Sequence, residues 1–437
     1  MGVVVLVSSL LLSLFRILLN AIDPYLSRMN IHLVEKPPSS VEKLLATIRA
    51  KSGSLPSLAQ NSQWRERVQL VLDYLRTAKD VTPFGRLAIY RYLLLEINAV
   101  QCFETVSLKF PQVVVTSHPD QRNRPIFIFG LPRSGTTLLY HLLALYPEAF
   151  SPTRLLAVFA EMSPSDIRKA SSLADLRQKM KIASKQYTFA HEAFTKSIFS
   201  IPYSVHPTAL DGPEECLIVL NNYLFYETLP IVRARDFTDF VSEYKDLSDK
   251  AYRLYKRDLH VMQSITSANG RRSRFVLKAP HHTPFPDVIR RHFPNAYFVR
   301  MHRNPAEVVA SLSSLLRVNN APFQSRVDLV ELGRSVQTTI CNMAKELVRQ
   351  TSQMPKCTID LRFEEFSRDP ISVCTKIAIE VGMEHTKAVE EKLTAFLIDD
   401  KAKRTRAGKH EYTLEEFGLD AEEIRSDCKE YCEMFSV

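Results

Sequence analysis

The sequence predicts an α/β fold in which a mainly parallel sheet is flanked by helices, with a helical insertion or cap and a hydrophobic helix at the N-terminus. Short, β-rich runs at 125–130, 274–280, 296–303 and 357–366 alternate with segments of helical periodicity. Strands that alternate with helices along the chain form βαβ units and therefore a parallel sheet. The region 155–265 is helical in pattern and rich in aromatic residues, so we expect it to form a cap that shapes a substrate pocket.

The chain divides into three parts. Residues 1–30 are an apolar segment, residues 31–60 carry the Pro, Ser and Gly residues of a linker with one short helix, and residues 61–437 form the main domain. Within that domain, residues 61–108 repeat apolar side chains at helical spacing, which predicts helices ahead of the first strand. The motifs that carry chemistry lie between residues 125 and 318.

The N-terminal segment is apolar from Val3 to Ile22, with Arg16 as its one charged residue. A run of about 20 residues is at the lower limit of a spanning helix, and this one lacks the basic start and small-residue cleavage site of a secretory signal. The basic residues follow the run, which by the positive-inside rule leaves the domain on the cytosolic side. We therefore expect membrane association through the N-terminus. The alternatives are a lumenal domain on a Golgi or endoplasmic reticulum membrane, or a helix docked on the protein's own core.

The charge of the chain favours an anionic ligand. The formal net charge is +9, which suits an anion or an acidic surface. The basic residues are not interleaved with aromatics along a stripe, so no nucleic-acid partner is predicted. The seven cysteines form no C-x-x-C pair, so no zinc site is expected. Cys428 and Cys432 are one helical turn apart and are interpreted as two half-buried, reduced thiols.

A strand, a turn and an apolar helix follow one another in "IFIFGLPRSGTTLLYHLL", Ile126 to Leu143. The turn Gly130–Thr137 nearly matches the phosphate-binding loop G-x-x-x-x-G-K-[ST], but Thr136 stands where the lysine is expected, and Arg133 is the loop's basic residue. Backbone N–H groups and the helix N-terminus converge on an anion in such a loop. The sheet is therefore predicted to be of the P-loop type.

The missing lysine limits what this loop binds. In ATPases the lysine neutralises the β- and γ-phosphates, and a Ser/Thr with a downstream Asp holds magnesium. Here that lysine is absent, and the sequence has no evident magnesium-holding aspartate at a strand end. A phosphosulfate is less densely charged and needs no metal, so it fits the loop better.

Two motifs resemble those of the sulfotransferases that use 3′-phosphoadenosine 5′-phosphosulfate (PAPS), and they occur in the same order along the chain as in that family. "PRSGTTLL" after a strand resembles their 5′-phosphosulfate loop, and "RMHRNPAEVVASL" (300–312) resembles their 3′-phosphate segment. "LKAPHH" (277–282) stands where the family has a Lys and a nearby His. "PEEC" (213–216) and "GKHEYTLEEFGLD" (408–420) are similar to the bacterial-type branch. The resemblance covers roughly residues 60–437.

The resemblance implies a set of PAPS ligands and no metal. Arg133 is expected to contact the phosphosulfate in place of the absent lysine, and Arg303 and Ser311 are expected to hold the 3′-phosphate. The full predicted cofactor-binding set is Arg133, Ser134, Gly135, Thr136, Thr137, Arg303 and Ser311. A late basic cluster could fold over the nucleotide or stay a solvated charge run: Lys401, Lys403, Arg404, Arg406 and Lys409.

Three residues are the predicted catalytic groups. Lys278 ends its strand at the edge where ligands of α/β sheets bind, and it would stabilise charge on the bridging oxygen as the sulfuryl group leaves. His282 matches the Lys-x-Pro-x-His pattern of the bacterial-type branch and is the first candidate for the base. Glu215 is the carboxylate candidate. His281 and Glu214 are their immediate rivals.

The predicted function is transfer of the sulfuryl group from PAPS to a hydroxyl or amine of a small, hydrophobic acceptor. One alternative is a non-catalytic, membrane-tethered nucleotide-binding protein. It is favoured by Pro280, which stands where the cytosolic branch of the family has its His. The other is an ATP-dependent P-loop phosphotransferase. Such an enzyme requires a metal and the lysine that this loop lacks.

Overall fold

A parallel sheet of five strands forms the centre of the computed structural model, which describes residues 14–20, 37–114, 124–152, 162–184, 212–224, 245–266, 273–407 and 412–437. The strands are β1 Ile126–Gly130, β2 Ala149–Phe150, β3 Arg274–Lys278, β4 Tyr297–His302 and β5 Thr358–Arg362. Their order is β2-β3-β1-β4-β5, and every neighbouring pair is parallel. The predicted α/β class is confirmed.

The helices connect these strands and cover both faces of the sheet. In chain order they are α1 Val41–Ser52, α2 Ser62–Thr77, α3 Pro83–Lys109, α4 Thr136–Leu143, α5 Pro164–Lys169, α6 Leu217–Leu224, α7 Lys245–Thr266, α8 Pro286–His292, α9 Pro305–Asn320, α10 Leu329–Gln350, α11 Phe363–Arg368, α12 Pro370–Val381, α13 Lys387–Ala407, α14 Ala421–Asp427 and α15 Lys429–Phe435. Further helical residues lie at 14–20 and 173–184.

Two apolar cores lie on opposite faces of the sheet. β1 is buried along its whole length, as expected of a parallel strand covered on both sides. Its side chains alternate between the cores: Phe127 and Phe129 join the larger core with the helices of the cap, while Ile126 and Ile128 join the smaller core with α4 and α12. This sandwich fixes the carboxyl ends of β1, β3 and β4 side by side at one edge.

The helices ahead of the sheet follow their apolar spacing. In α2 the buried side chains Trp64, Val68, Val71 and Leu75 recur at three- and four-residue intervals. Asn61 caps this helix by accepting a hydrogen bond from the Trp64 N–H at 2.8 Å. Helices α2 and α3 thus occupy the region where periodicity predicted them, and α1 is the short helix expected in the linker. The described parts of the insertion are helical.

The predicted membrane localisation, cytosolic or lumenal, is contradicted. Among the residues that the structure describes, no helix is long and apolar enough to cross a bilayer. Within the helical residues 14–20, Leu19 is buried and the Asn20 side chain accepts a hydrogen bond from the Phe84 N–H at 2.9 Å, whereas Leu14, Phe15, Ile17 and Leu18 are about half exposed. The rest of the apolar run, 1–13 and 21–22, lies outside the described residues.

Candidate active site

The turn between β1 and α4 has the backbone of an anion-binding loop. Gly130, Arg133 and Gly135 have φ angles of +132°, +62° and +84°. A Cβ on Gly130 would lie 2.2 Å from the carbonyl oxygen of Met301 in β4, so only glycine fits there. A non-glycine residue in the left-handed region is strained, and such strain is characteristic of functional loops. Left-handed residues ahead of a helix N-terminus form the concavity that binds anions.

The hydroxyl groups of this loop have different neighbours. The buried Ser134 hydroxyl donates to the Leu131 carbonyl at 2.6 Å and so holds the turn. Thr136 is buried, whereas Thr137 is partly exposed, and its Oγ1 accepts a hydrogen bond from Lys278 Nζ at 2.9 Å. Of the loop's side-chain hydroxyls, that of Thr137 thus lies beside a cation.

The loop and the predicted 3′-phosphate segment touch each other directly. Arg133 Nε donates to Ser311 Oγ at 3.1 Å across 178 positions of sequence, and Arg303 Nη1 donates to the Arg133 carbonyl at 2.7 Å across 170. Arg303 follows β4 and Ser311 lies on α9, so the adjacency of β1 and β4 brings them together. The Arg133 side chain is therefore directed to the 3′-phosphate segment.

Positive charge accumulates around Arg133. Burial lowers the pKa of its guanidinium, Arg303 and Arg404 lower it further, and Tyr412 and Glu215 oppose them. Arg404 belongs to the late basic cluster, so one member of that cluster acts on the loop; Lys409 lies outside the described residues. Cations that repel one another at the end of a strand are stabilised when an anion binds between them.

Arg303 is held by contacts that a ligand can exchange. Its Nε and Nη2 donate to Glu307 Oε2 at 2.9 and 2.7 Å, and its guanidinium carbon lies 4.1 Å from the centre of the Phe363 ring. The Glu307 side chain is 53% exposed, so this ion pair is weak. The ring positions the planar guanidinium, which suits a bidentate contact with phosphate.

Lys278 ends β3 and is completely buried. Its ammonium donates to Thr137 Oγ1 and to Glu215 Oε1. Glu215 reaches it because the Cys216 N–H donates to the Lys278 carbonyl at 2.8 Å, which fixes the chain ahead of α6 against the end of β3. The ammonium therefore lies at the N-terminus of α4, near the position of the lysine that the loop lacks.

The two neighbouring histidines occupy different environments. His282 is fully buried, packs against the rings of Phe127 and Tyr255, and shares a 2.8 Å hydrogen bond with the Tyr252 hydroxyl through Nδ1. Its Nε2 is buried without a hydrogen-bond partner among the described residues. Burial lowers the pKa of His282 to about 3. His281 is partly exposed.

His281 lies close to the Lys278–Glu215 pair. Burial lowers its pKa to about 4, Glu215 opposes that effect by favouring the protonated ring, and Lys278 adds to it. Glu215 and Lys278 act on the pKa of His282 in the same directions, so the two rings differ in packing: His282 is buried among aromatic rings, and His281, the rival candidate, is partly exposed.

Sequence reasoning missed His141 and Phe363. His141 lies one helical turn after Thr137 on α4; burial lowers its pKa to about 4, and Lys278 and Glu214 act on its charge. The spacing of four from Thr137 is the signal that identifies this residue. Phe363 supports Arg303, and its ring would lie 3.0 Å from a Cβ on Gly135. No motif marks it, because it reaches the loop from beyond β5.

Comparison with known proteins agrees with this geometry. The model of the sulfotransferase family matches residues 125–387. Sulfotransferase STF9 from Mycobacterium avium is 21% identical, with a TM-score of 0.70 over 92% of this chain and 98% of that one. Sulfotransferase STF1 from Mycobacterium tuberculosis H37Rv is 20% identical, with a TM-score of 0.67 over 90% of this chain and 99% of that one.

At these identities the two structures show a shared fold. No curated protein matches the sequence. The family match spans more than half of the chain and includes the loop, Lys278 and the Arg303 segment. The chain therefore belongs to the sulfotransferase family.

Proposed function

We propose that this sulfotransferase takes its sulfuryl group from PAPS and transfers it to a hydroxyl or amine of a small, hydrophobic acceptor. The contact between the β1–α4 loop and the Arg303–Ser311 segment carries this proposal. PAPS has a phosphosulfate at one end of its ribose and a phosphate on the 3′ oxygen. Two anion-binding segments that touch each other suit a ligand with two anionic groups on one sugar.

The charges around the loop fit such a donor. The N-terminus of α4 contributes about half a positive charge, and Lys278 and Arg303 bring full charges to either side of it. Arg303 exchanges its weak pair with Glu307 for the 3′-phosphate, and Ser311 and Arg133 complete that end. Backbone N–H groups of the loop and the Thr137 hydroxyl hold the phosphosulfate end.

The chain's own groups lower the barrier by position and charge. When bound, PAPS supplies an activated sulfuryl group with adenosine 3′,5′-bisphosphate as its leaving group. The Lys278 ammonium stabilises the negative charge that grows on the bridging oxygen. Its hydrogen bonds to Thr137 and Glu215 fix it for that contact, and a fixed charge needs no reorganisation during the reaction.

His281 accepts the proton that the acceptor loses. A base must be neutral before the reaction and reach the acceptor, and His281 is partly exposed with a pKa near 4, so it is neutral at pH 7. The Glu215 carboxylate favours the protonated ring that forms. His282, in contrast, holds the turn after β3 through Tyr252. The aromatic-rich insertion supports a hydrophobic acceptor.

Calorimetry on the full chain tests the donor. We expect adenosine 3′,5′-bisphosphate to bind equally with magnesium and with chelator, and more tightly than ATP with magnesium. A preference for ATP with magnesium would overturn the PAPS assignment in favour of phosphoryl transfer. Bisphosphate binding without transfer of radiolabelled sulfur from PAPS to any alcohol or amine of a broad panel would favour the non-catalytic alternative.

Two matched variants test the base. His281→Gln should lower kcat by about 10²-fold and leave bisphosphate affinity unchanged, because the imidazole acts on the acceptor. His282→Gln should change stability more than kcat. The reverse pattern would return the role of base to His282.

A further inference from the structure

A pair of buried thiols lies behind the Arg303 segment. Cys341 of α10 and Cys428, between α14 and α15, are 5% and 2% exposed, and their sulfur atoms are 3.0 Å apart. The Cys428 S–H donates to Cys341 Sγ. Cys432, one turn along α15, is partly exposed and acts electrostatically on this pair. The sequence predicts half-buried thiols at Cys428 and Cys432; Cys428 is instead fully buried beside Cys341.

The backbone at Cys428 leaves room for the sulfurs to approach. A disulfide requires an S–S separation of about 2.05 Å, roughly 1 Å less than the present distance. Cys428 is the junction residue between two helices, with φ −111° and ψ 20°, and its torsions are not fixed by an uninterrupted helix. The sulfurs must approach by roughly 1 Å, and this junction is where the backbone can rotate to allow it.

We propose that Cys341 and Cys428 form a reversible disulfide by exchange with a small-molecule disulfide, and that this bond fastens the C-terminal helices to α10. In the first step the Cys341 thiolate attacks one sulfur of the small disulfide, forms a mixed disulfide and releases one thiolate. In the second step the Cys428 thiolate attacks the Cys341 sulfur and releases the other. The two cysteine protons end on the two released thiols, and the small disulfide is reduced as the cysteines are oxidised.

The hydrogen bond between the thiols favours Cys341 as the attacking group. A donor to a thiolate stabilises the charged form, and the Cys428 S–H accordingly lowers the pKa of Cys341. Cys102, Cys216 and Cys374 show the opposite behaviour, because burial raises the pKa of each. Among these buried thiols, Cys341 is thus the one with the larger thiolate fraction.

The C-terminal helices are connected to Arg303. The Tyr431 hydroxyl on α15 lies 3.2 Å from His302 Nδ1 and interacts with the backbone of Arg303, and Phe435 stacks on the His302 ring at 3.7 Å. His302 Nε2 is also 2.9 Å from Asp360 of β5. A disulfide that joins the C-terminal helices to α10 therefore holds in place the contacts that α15 makes with His302 and Arg303. This consequence rests on the proposed function, in which Arg303 binds the 3′-phosphate.

Thiol counting on the full chain tests the bond itself. The reduced protein is equilibrated with glutathione disulfide, quenched in acid, alkylated after unfolding and mapped by peptide mass. We expect two of the seven thiols to be lost, both at Cys341 and Cys428, and to return with dithiothreitol. Cys374→Ser, in the apolar core on the other face of the sheet, should keep this loss. Cys341→Ser and Cys428→Ser should each abolish it.

Stability and affinity supply readouts that do not depend on turnover. The bond joins residues 87 positions apart, so we expect the Tm of the oxidised protein to exceed that of the reduced protein by about 5 °C. In Cys428→Ser the oxidant should leave the Tm unchanged. Adenosine 3′,5′-bisphosphate should dissociate several-fold more slowly from the oxidised form. A stable mixed disulfide with glutathione, or a pairing elsewhere, would overturn the proposal. A correct disulfide without bisphosphate binding in either state would instead refute the proposed function.

Discussion

Replacing Arg303 by alanine should weaken the binding of adenosine 3′,5′-bisphosphate far more than it weakens the fold. The guanidinium follows β4 and has three described contacts: the Glu307 carboxylate, the Arg133 carbonyl and the Phe363 ring. Only the carboxylate competes with a phosphate for the same N–H groups. Binding of the bisphosphate therefore exchanges one anion for another at this side chain.

The loss of affinity follows from that exchange. A hydrogen bond to a charged group contributes about 1.5–3 kcal/mol, so a bidentate contact with phosphate contributes about 4 kcal/mol. The exposed pair with Glu307 that it replaces is worth about 0.5–1 kcal/mol. The difference, about 3 kcal/mol, corresponds to a Kd roughly 10²-fold weaker in Arg303→Ala.

The cost to folding is smaller. The substitution removes the hydrogen bond to the Arg133 carbonyl, about 1 kcal/mol, the stacking on Phe363, about 0.5–1 kcal/mol, and the weak ion pair. A total of about 2–3 kcal/mol leaves a stable protein on which calorimetry can be performed.

Two further variants control the measurement. Arg303→Lys keeps the charge without the planar fork and should lose about tenfold in affinity. Glu307→Gln removes the competing carboxylate, so its affinity should equal or exceed that of the wild type. Binding to Arg303→Ala as tight as to the wild type at about 0.1 M salt, where exposed charges are screened, would refute the assignment of this residue to the 3′-phosphate.

Three other predictions concern catalysis, the loop and pH. Lys278→Met should lower kcat by about 10²–10³-fold and change bisphosphate affinity less than tenfold; an unchanged kcat would remove this residue from catalysis. Gly130→Ala should cost more than about 3 kcal/mol in chemical unfolding, because its Cβ would lie 2.2 Å from the Met301 oxygen, whereas Gly382→Ala, with no described atom within 4 Å, should cost about 1 kcal/mol; equal costs would contradict the close approach. The free energy of unfolding should fall as pH drops from about 6.5 toward 3, because His282 has a pKa of about 3 when folded and about 6.5 when unfolded, so the unfolded chain binds the proton first. His282→Gln should reduce that slope by up to about 1.4 kcal/mol per pH unit, and an unreduced slope between pH 5 and 7 in urea melts would contradict the buried, neutral ring.

The three central strands, β1, β3 and β4, were predictable because burial on both faces leaves little choice of residue type. The runs predicted at 125–130 and 296–303 correspond to Ile126–Gly130 and Tyr297–His302. The run predicted at 357–366 ends earlier, at Arg362, because helix α11 begins at Phe363. The strand Ala149–Phe150 was not predicted, since two residues are too few for an alternating pattern.

The fine structure of the site depends on contacts that the sequence pattern does not contain. His281 and His282 are adjacent in a 3₁₀ turn, and their chemical types are identical. The Tyr252 hydroxyl, which comes from helix α7 of the insertion, shares a hydrogen bond with His282, which is buried, whereas His281 is partly exposed. The N-terminal segment is similar: hydropathy alone cannot reveal that Asn20 binds the backbone at Phe84.

The strand order of the sheet brings cations from two neighbouring strands to this loop, which lacks its own lysine. β3 and β4 flank β1 on opposite sides, so a side chain at the end of either strand reaches the loop from outside it. Lys278 arrives from β3 and donates to Thr137, while Arg303 arrives from β4 and donates to the Arg133 carbonyl. The Arg133 side chain donates to Ser311, so in the proposed function it acts at the 3′-phosphate end together with Arg303, whereas the sequence predicts a contact with the phosphosulfate. It follows that substitutions at Arg133 and Arg303 should be non-additive for bisphosphate affinity, whereas those at Lys278 and Arg303 should be nearly additive.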